Sequence, residues 1–214
     1  MVASDWSVYE SQNYDGICLP NQKPKYGVPG VPKKSWVKRW LNEGMRRTAR
    51  AVFITHSNGV PHLIVFKQPT ADGIAQFLPG GKLIEGESER EGLSRHLRSL
   101  IMKDKSSDSC EWKVGEVISK FYRPEFDERV FPFLPPHVTR PKEEITLLQV
   151  VLPPRCVFAL REGVTVTAIP VFEILKSPDN FPSLIAALPQ LISRFTLYQY
   201  VPGRPGFAPL PNRR

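Results

Sequence analysis

The sequence has little cysteine and little histidine, and neither is arranged for chemistry. Its three cysteines, Cys18, Cys110 and Cys156, are odd in number and far apart. No Cys-x-x-Cys or His-x-x-His spacing accompanies them, which argues against a disulfide framework and a zinc site alike. The four histidines are scattered too; none is assigned to metal or catalysis, and no cofactor is expected. Long apolar runs are also missing, and no N-terminal stretch resembles a signal peptide. The expectation is therefore an intracellular, soluble protein with no membrane partner. No internal repeat is visible.

Proline and localised positive charge are what the chain has in excess. Many of its 22 prolines gather in the first 35 residues, around Pro132 to Pro141, and in the tail from Pro202. A length of 214 residues fits one domain with extensions. We divide it into a basic arm and helix over 1–45, a domain over 46–200, and a Pro/Arg-rich tail over 201–214. Nine of the basic residues lie between Lys23 and Arg50 against a single acid, Glu43, so this segment alone carries the formal net charge of +8. A positive field concentrated in this way suits a surface that meets phosphate or an acidic partner. A solubilising flank or a nuclear import signal would have the same composition.

Periodicity places the elements. Residues 1 to about 31 lack it and are expected to form an extended arm rather than a packed element. Ser35 is positioned to cap a helix whose Trp36, Val37, Trp40 and Leu41 share one face, ending at Gly44; the tryptophans are read as anchors to the domain. Two strand-like runs, Ala49 to His56 and Pro61 to Gln68, flank Ser57-Asn58-Gly59, a strong hairpin signal. Further strands are expected at Lys113 to Tyr122, Ile145 to Leu152 and Thr165 to Ile169. A helical stripe runs from Leu184 to Phe195, with a kink or restart at Pro189. Strands alternating with helices fit a mixed α/β layered sandwich.

The stretch from Gly81 to Arg95 carries the chemistry. It reads glycine, five residues, Glu87, seven residues, Arg95, which is the spacing of the Nudix box, and the chain resembles Nudix domains. That resemblance implies a mixed β-sheet sandwiched between helices. It also implies an acidic cluster after Arg95, but the sequence there is His96, Leu97, Arg98, Ser99 and Leu100. Hydrolysing a nucleoside diphosphate needs Mg2+, and Mg2+ needs several hard carboxylate oxygens presented together. Ser99 offers one neutral oxygen, Leu100 none, and Arg98 repels a cation. Glu87, Glu91 and Arg95 at i, i+4 and i+8 would form either a solvated ion-pair ladder or a weak magnesium site. The ladder is the reading adopted, with no catalytic residue and no metal ligand assigned.

Five further stretches narrow the resemblance. Gly44-Met-Arg-Arg-Thr48, Leu78-Pro-Gly-Gly81 with Glu91-Gly-Leu93, Tyr122-Arg-Pro-Glu-Phe126, Pro135 to Glu143, and Leu188 to Phe195 occur in the order found in the small, Nudix-like subunits of cleavage factor I. That family is also called cleavage and polyadenylation specificity factor subunit 5 and acts in messenger RNA 3′-end processing. The resemblance runs from about Gly44 to Tyr200. It implies a nuclear, non-catalytic homodimer that binds RNA at UGUA elements and captures a larger subunit with an RNA-recognition domain.

From the resemblance, the RNA-binding candidates at or beside the family's contact positions are Lys33, Lys34, Arg47, Arg50, Phe77, Leu78 and Phe181, and the partner-binding candidates are Phe131, Phe133 and Leu191. Core packing is an equal reading for Leu191. The chain departs from the family at several contacts. Ala75 and Gln76 stand where the family has two phenylalanines, one of which stacks on a base, leaving Phe77 as a substitute if the loop shifts. Losing such a stack costs roughly 1 to 3 kcal/mol. Arg50 replaces a glutamate, exchanging an acceptor for a phosphate-seeking donor, and Pro24 and Pro32 stand at base-reading positions. The expectation is retained RNA binding with altered sequence choice; the alternative is a divergent Nudix hydrolase of a dinucleotide or capped RNA.

Overall fold

The computed structural model describes residues 5–18, 34–70, 73–102, 112–200 and 207–210. In chain order the elements are β1 (Asp5–Val8), β2 (Tyr14–Cys18), α1 (Lys34–Glu43), β3 (Arg46–Ser57), β4 (Val60–Thr70), β5 (Gly73–Phe77) and β6 (Gly80–Lys82). There follow α2 (Glu89–Leu97), β7 (Ile101–Met102), β8 (Lys113–Arg123), β9 (Glu143–Val151), β10 (Cys156–Leu160) and β11 (Thr165–Pro170). The remainder is α3 (Val171–Lys176), α4 (Ser183–Ala186), α5 (Leu188–Ile192), β12 (Thr196–Tyr200) and β13 (Phe207–Pro209).

The main sheet has strand order β11-β4-β3-β9-β8, with β5 beside β4 and β6 beside β3. The β3–β9 pair is parallel and the others antiparallel. β3 lies at the centre and is buried along most of its length, so alternate residues feed two cores. Ala49, Ala51 and Phe53 face a core that includes Leu93, Leu97 and Leu100 at the end of α2. Val52 and Ile54 face the other, closed by α3, α4 and α5 through Ile174, Ile185 and Ile192. This is the helix-flanked mixed sheet expected.

The segment read as an extended arm is a correction. Within it, residues 5–18 are packed: β1 pairs in parallel with β12, and β2 in parallel with β10. Trp6 and Val8 are fully buried, and Trp6 meets Phe195 edge-on at a centroid distance of 5.3 Å. Two inward side chains on so short a strand leave almost no periodic signal, and both partner strands lie far along the chain.

Helix α1 also departs from expectation, beginning at Lys34 and exposing Val37 and Leu41. Trp36 and Trp40 do anchor it, each set edge-on against Phe126 at 5.8 and 5.7 Å. The Lys142 ammonium lies 3.7 Å from the Trp40 ring centroid, and the Trp40 indole donates to the Pro141 carbonyl at 3.2 Å. Gly44 ends the helix at φ +79° with its N–H on the Trp40 carbonyl. The restart at Pro189 is present: α4 stops at Ala186, and α5 begins with Pro189 in its first turn, where a missing N–H costs nothing.

Candidate functional site

The degenerate box folds as a loop and a short helix whose polar atoms are engaged with each other. Ser88 caps α2 by accepting from the Glu91 N–H, and the Glu91 carboxylate accepts from the Ser88 N–H, a reciprocal capping box. Glu91 is thereby withdrawn from the expected ladder, and Glu87 precedes the helix instead of lying on it. Glu87 still meets Arg95: Nε and Nη2 donate to its two oxygens, both at 2.8 Å, and the Ile84 N–H donates at 2.9 Å. The Arg95 guanidinium holds the Glu87 carboxyl down to about 2.

Where the Nudix box carries glutamates, this chain has packing groups. The His96 ring lies over Gly81, so close that a Cβ there would stand 2.4 Å from the ring, and its Nε2 is 3.1 Å from the Lys82 carbonyl. Burial pushes the His96 pKa below its ordinary value. The Ser99 hydroxyl donates to the His96 carbonyl at 2.8 Å, and Leu100 is 1% exposed within the α2-side core. The donor set does not fit Mg2+: the one carboxylate at the expected position is saturated by Arg95 and a backbone amide.

On the opposite face of the sheet a cleft of about 360 Å³ opens between β5, the β8 end and the α4 region. Arg50 and Arg123 line it, with Ile74, Gln76, Leu78 and Leu184. Arg50 is 6% exposed, and its Nη1 donates to the Leu78 carbonyl at 3.2 Å. Arg123 donates to the Glu143 carboxylate at 3.1 Å and to the Asp127 carbonyl. Glu143 also accepts from the Thr48 hydroxyl at 2.6 Å and pairs with Arg46 at 3.5 Å.

Of the RNA-binding candidates, the cleft collects Arg50, Phe77 and Leu78. Phe181 stands beside it, between the lining residues Asn180 and Pro182, and packs against the helix-side core. Phe77 is buried with its ring against Phe66, centroids 6.0 Å apart. Stacking by Phe77 would thus require β5 to move; Ile74, Ala75 and Gln76 are the accessible positions. Arg47 points to the other face, donating to Glu89 at 2.8 Å. Lys33 and the Lys34 side chain lie outside the described residues. Phe131 and Phe133 contact each other at 5.9 Å on the loop after β8, with Phe133 exposed, and Leu191 is partly buried against the core. Sequence reasoning assigned no role to Arg123, Gln76 or Glu143. Arg123 and Glu143 stand inside motifs that carry the resemblance, and Gln76 was marked only as standing in place of a family phenylalanine.

The family model NUDIX_2, described as nucleotide hydrolase, matches residues 4–195. Cleavage and polyadenylation specificity factor subunit 5 of Dictyostelium discoideum is 35% identical over 155 residues, 72% of this chain and 76% of the relative. The chain belongs to this family. A second member, pre-mRNA cleavage factor Im 25 kDa subunit 2 of Arabidopsis thaliana, is 31% identical over 73% of this chain and 76% of its own length. The chain is thus a Nudix domain by fold in a family named for pre-mRNA cleavage and polyadenylation, and it carries both the degenerate box and the arginine-lined cleft.

Proposed function

We propose that this chain is a non-catalytic, RNA-binding scaffold of the nuclear cleavage and polyadenylation machinery, working as a homodimer that recruits a larger subunit with an RNA-recognition domain. The observation that carries the reading is the conversion of the metal positions into structure. His96 is tied to the Lys82 carbonyl, Leu100 is in the core, and Glu87 is clamped by Arg95. A Nudix fold so altered keeps its shape while lacking the carboxylates that would bridge magnesium to phosphate. The cleft, with its buried arginines, supports RNA contact, and exposed Phe133 supports partner contact. Tagged protein purified from cells should bring down 3′-processing factors with RNA-recognition domains, while the purified chain should release no nucleotide or phosphate from dinucleotide and capped-RNA substrates with magnesium. Magnesium-dependent turnover abolished by Glu87→Gln would instead make it a divergent hydrolase.

A further inference from the structure

Arg50 is a cation placed where water scarcely reaches. In the middle of β3 it is 6% exposed, and among the described residues its one side-chain hydrogen bond is the donation to Leu78. The acid that acts on it, Glu143, is already shared by Thr48, Arg46 and Arg123. Three guanidinium groups thus share one carboxylate that does not itself line the cleft, and the one acid among the lining residues, Glu128, is exposed. Burial lowers the Arg50 pKa to about 10, which still leaves the group charged at neutral pH. A buried cation with open donors on a cavity wall is the complement of an anion. Beside it the Gln76 amide oxygen is buried and unpartnered while its nitrogen donates to the Asn180 carbonyl at 3.5 Å. That oxygen suits a hydroxyl or N–H carried next to the anion.

We propose that this cleft binds one phosphate of a nucleotide on Arg50 and Arg123, with the Ile74, Leu78 and Leu184 wall against the attached sugar or base. The inference rests on the RNA-binding reading and names the chemistry of its site. The phosphate is either an internal one of an RNA strand or the terminal one of a free mononucleotide.

The test uses the full chain, with thermal melting in adenosine monophosphate, adenosine or inorganic phosphate, and anisotropy with a labelled RNA hexamer. The monophosphate should raise the melting temperature at concentrations at least about tenfold below those adenosine needs. Arg50→Gln should lose that response and bind RNA about tenfold more weakly, while Arg50→Lys keeps part of both. Displacement of RNA by the monophosphate assigns the pocket to the strand; stabilisation without displacement assigns it to the free nucleotide. If Arg50→Gln does not fold, the ligand comparison on the unaltered chain and Arg50→Lys decides. A monophosphate no better than adenosine, or an Arg50→Gln variant that responds like the parent, overturns the proposal. RNA binding that is unchanged in Arg50→Gln, alongside a lost monophosphate response, would assign the pocket to the free nucleotide and leave the RNA-binding reading standing on other contacts. Stabilisation by the monophosphate with no RNA binding at all would keep this pocket and remove the RNA-binding reading.

Discussion

Restoring the acidic cluster one residue at a time should show that two of the lost positions, Ser99 and Leu100, are no longer equivalent. Leu100 is 1% exposed and packs in the core with Leu93 and Leu97. Replacing it with Glu forfeits about 2 to 3 kcal/mol of apolar burial. The carboxyl must then either carry a charge into the core or stay protonated with no partner, a further cost of about 1 to 3 kcal/mol even in the cheaper form. The total, about 3 to 6 kcal/mol, is a large share of a typical net stability of about 5 to 15 kcal/mol. At about 2 to 4 °C per kcal/mol for a chain of this size, Leu100→Glu should melt roughly 10 to 20 °C lower. Ser99 is only partly buried and forms one bond, to the His96 carbonyl, so Ser99→Glu should cost about 1 kcal/mol. Urea denaturation of both variants and of Leu100→Met, which conserves volume, measures the difference. A Leu100→Glu chain within 1 kcal/mol of the parent, on the scale of ordinary surface substitutions, would refute the idea that this ligand position has been absorbed into the core.

Three other perturbations test separate parts of the structure. Gly80 has φ +140°, and a Cβ there would stand 2.1 Å from the Ala49 carbonyl oxygen, so Gly80→Ala should part β6 from β3 and cost about 3 kcal/mol or more by chemical denaturation. Trp40→Ala removes the ring under Lys142 and the bond to Pro141; a loss of about 2 to 4 kcal/mol and faster proteolysis within α1 are expected. Acid should weaken the fold in two stages. His96 has a folded pKa below its ordinary 6.5, so the unfolded chain takes that proton first and the contribution fades as pH falls below about 6.5. Glu87, depressed from 4.5 to about 2, contributes stability above about 4.5 that disappears as pH falls toward 2. Glu87→Gln should flatten only the second stage in urea titrations from pH 7 to 2.

The elements that could be read from the sequence were those with a local signature. Asn58 and Gly59 both have positive φ, +50° and +77°, the geometry that a two-residue hairpin demands of an Asn-Gly pair. Strands β8, β9 and β11 fall within a residue or two of their expected limits, since each is bounded by turn residues. β2, β10 and β12 escaped because they are short and paired with distant partners. The missing carboxylates were legible because each metal ligand occupies a fixed place in the box. The cleft was legible only through the resemblance, which named Arg50, Phe77 and Leu78; that Gln76 and Arg123 join them was not, because they come from separate strands and meet only after the sheet has formed. For the same reason Phe77 looked available: nothing local to it revealed that Phe66 would bury it.

The pairing of Asp5 with Thr196 has a consequence for synthesis. β1 leaves the ribosome before nearly everything it will touch, and its partner strand follows about 190 residues later, roughly 10 to 40 s at ordinary elongation rates. Through that interval Trp6 and Val8 lack the Phe195 ring and the β12 edge that complete their core. The nascent chain therefore carries an unpaired, apolar strand until the last part of the domain emerges, and closure of the fold is governed by its most distant contact. A bulky group fused immediately ahead of Asp5 would act at that late step, slowing closure rather than altering the cleft.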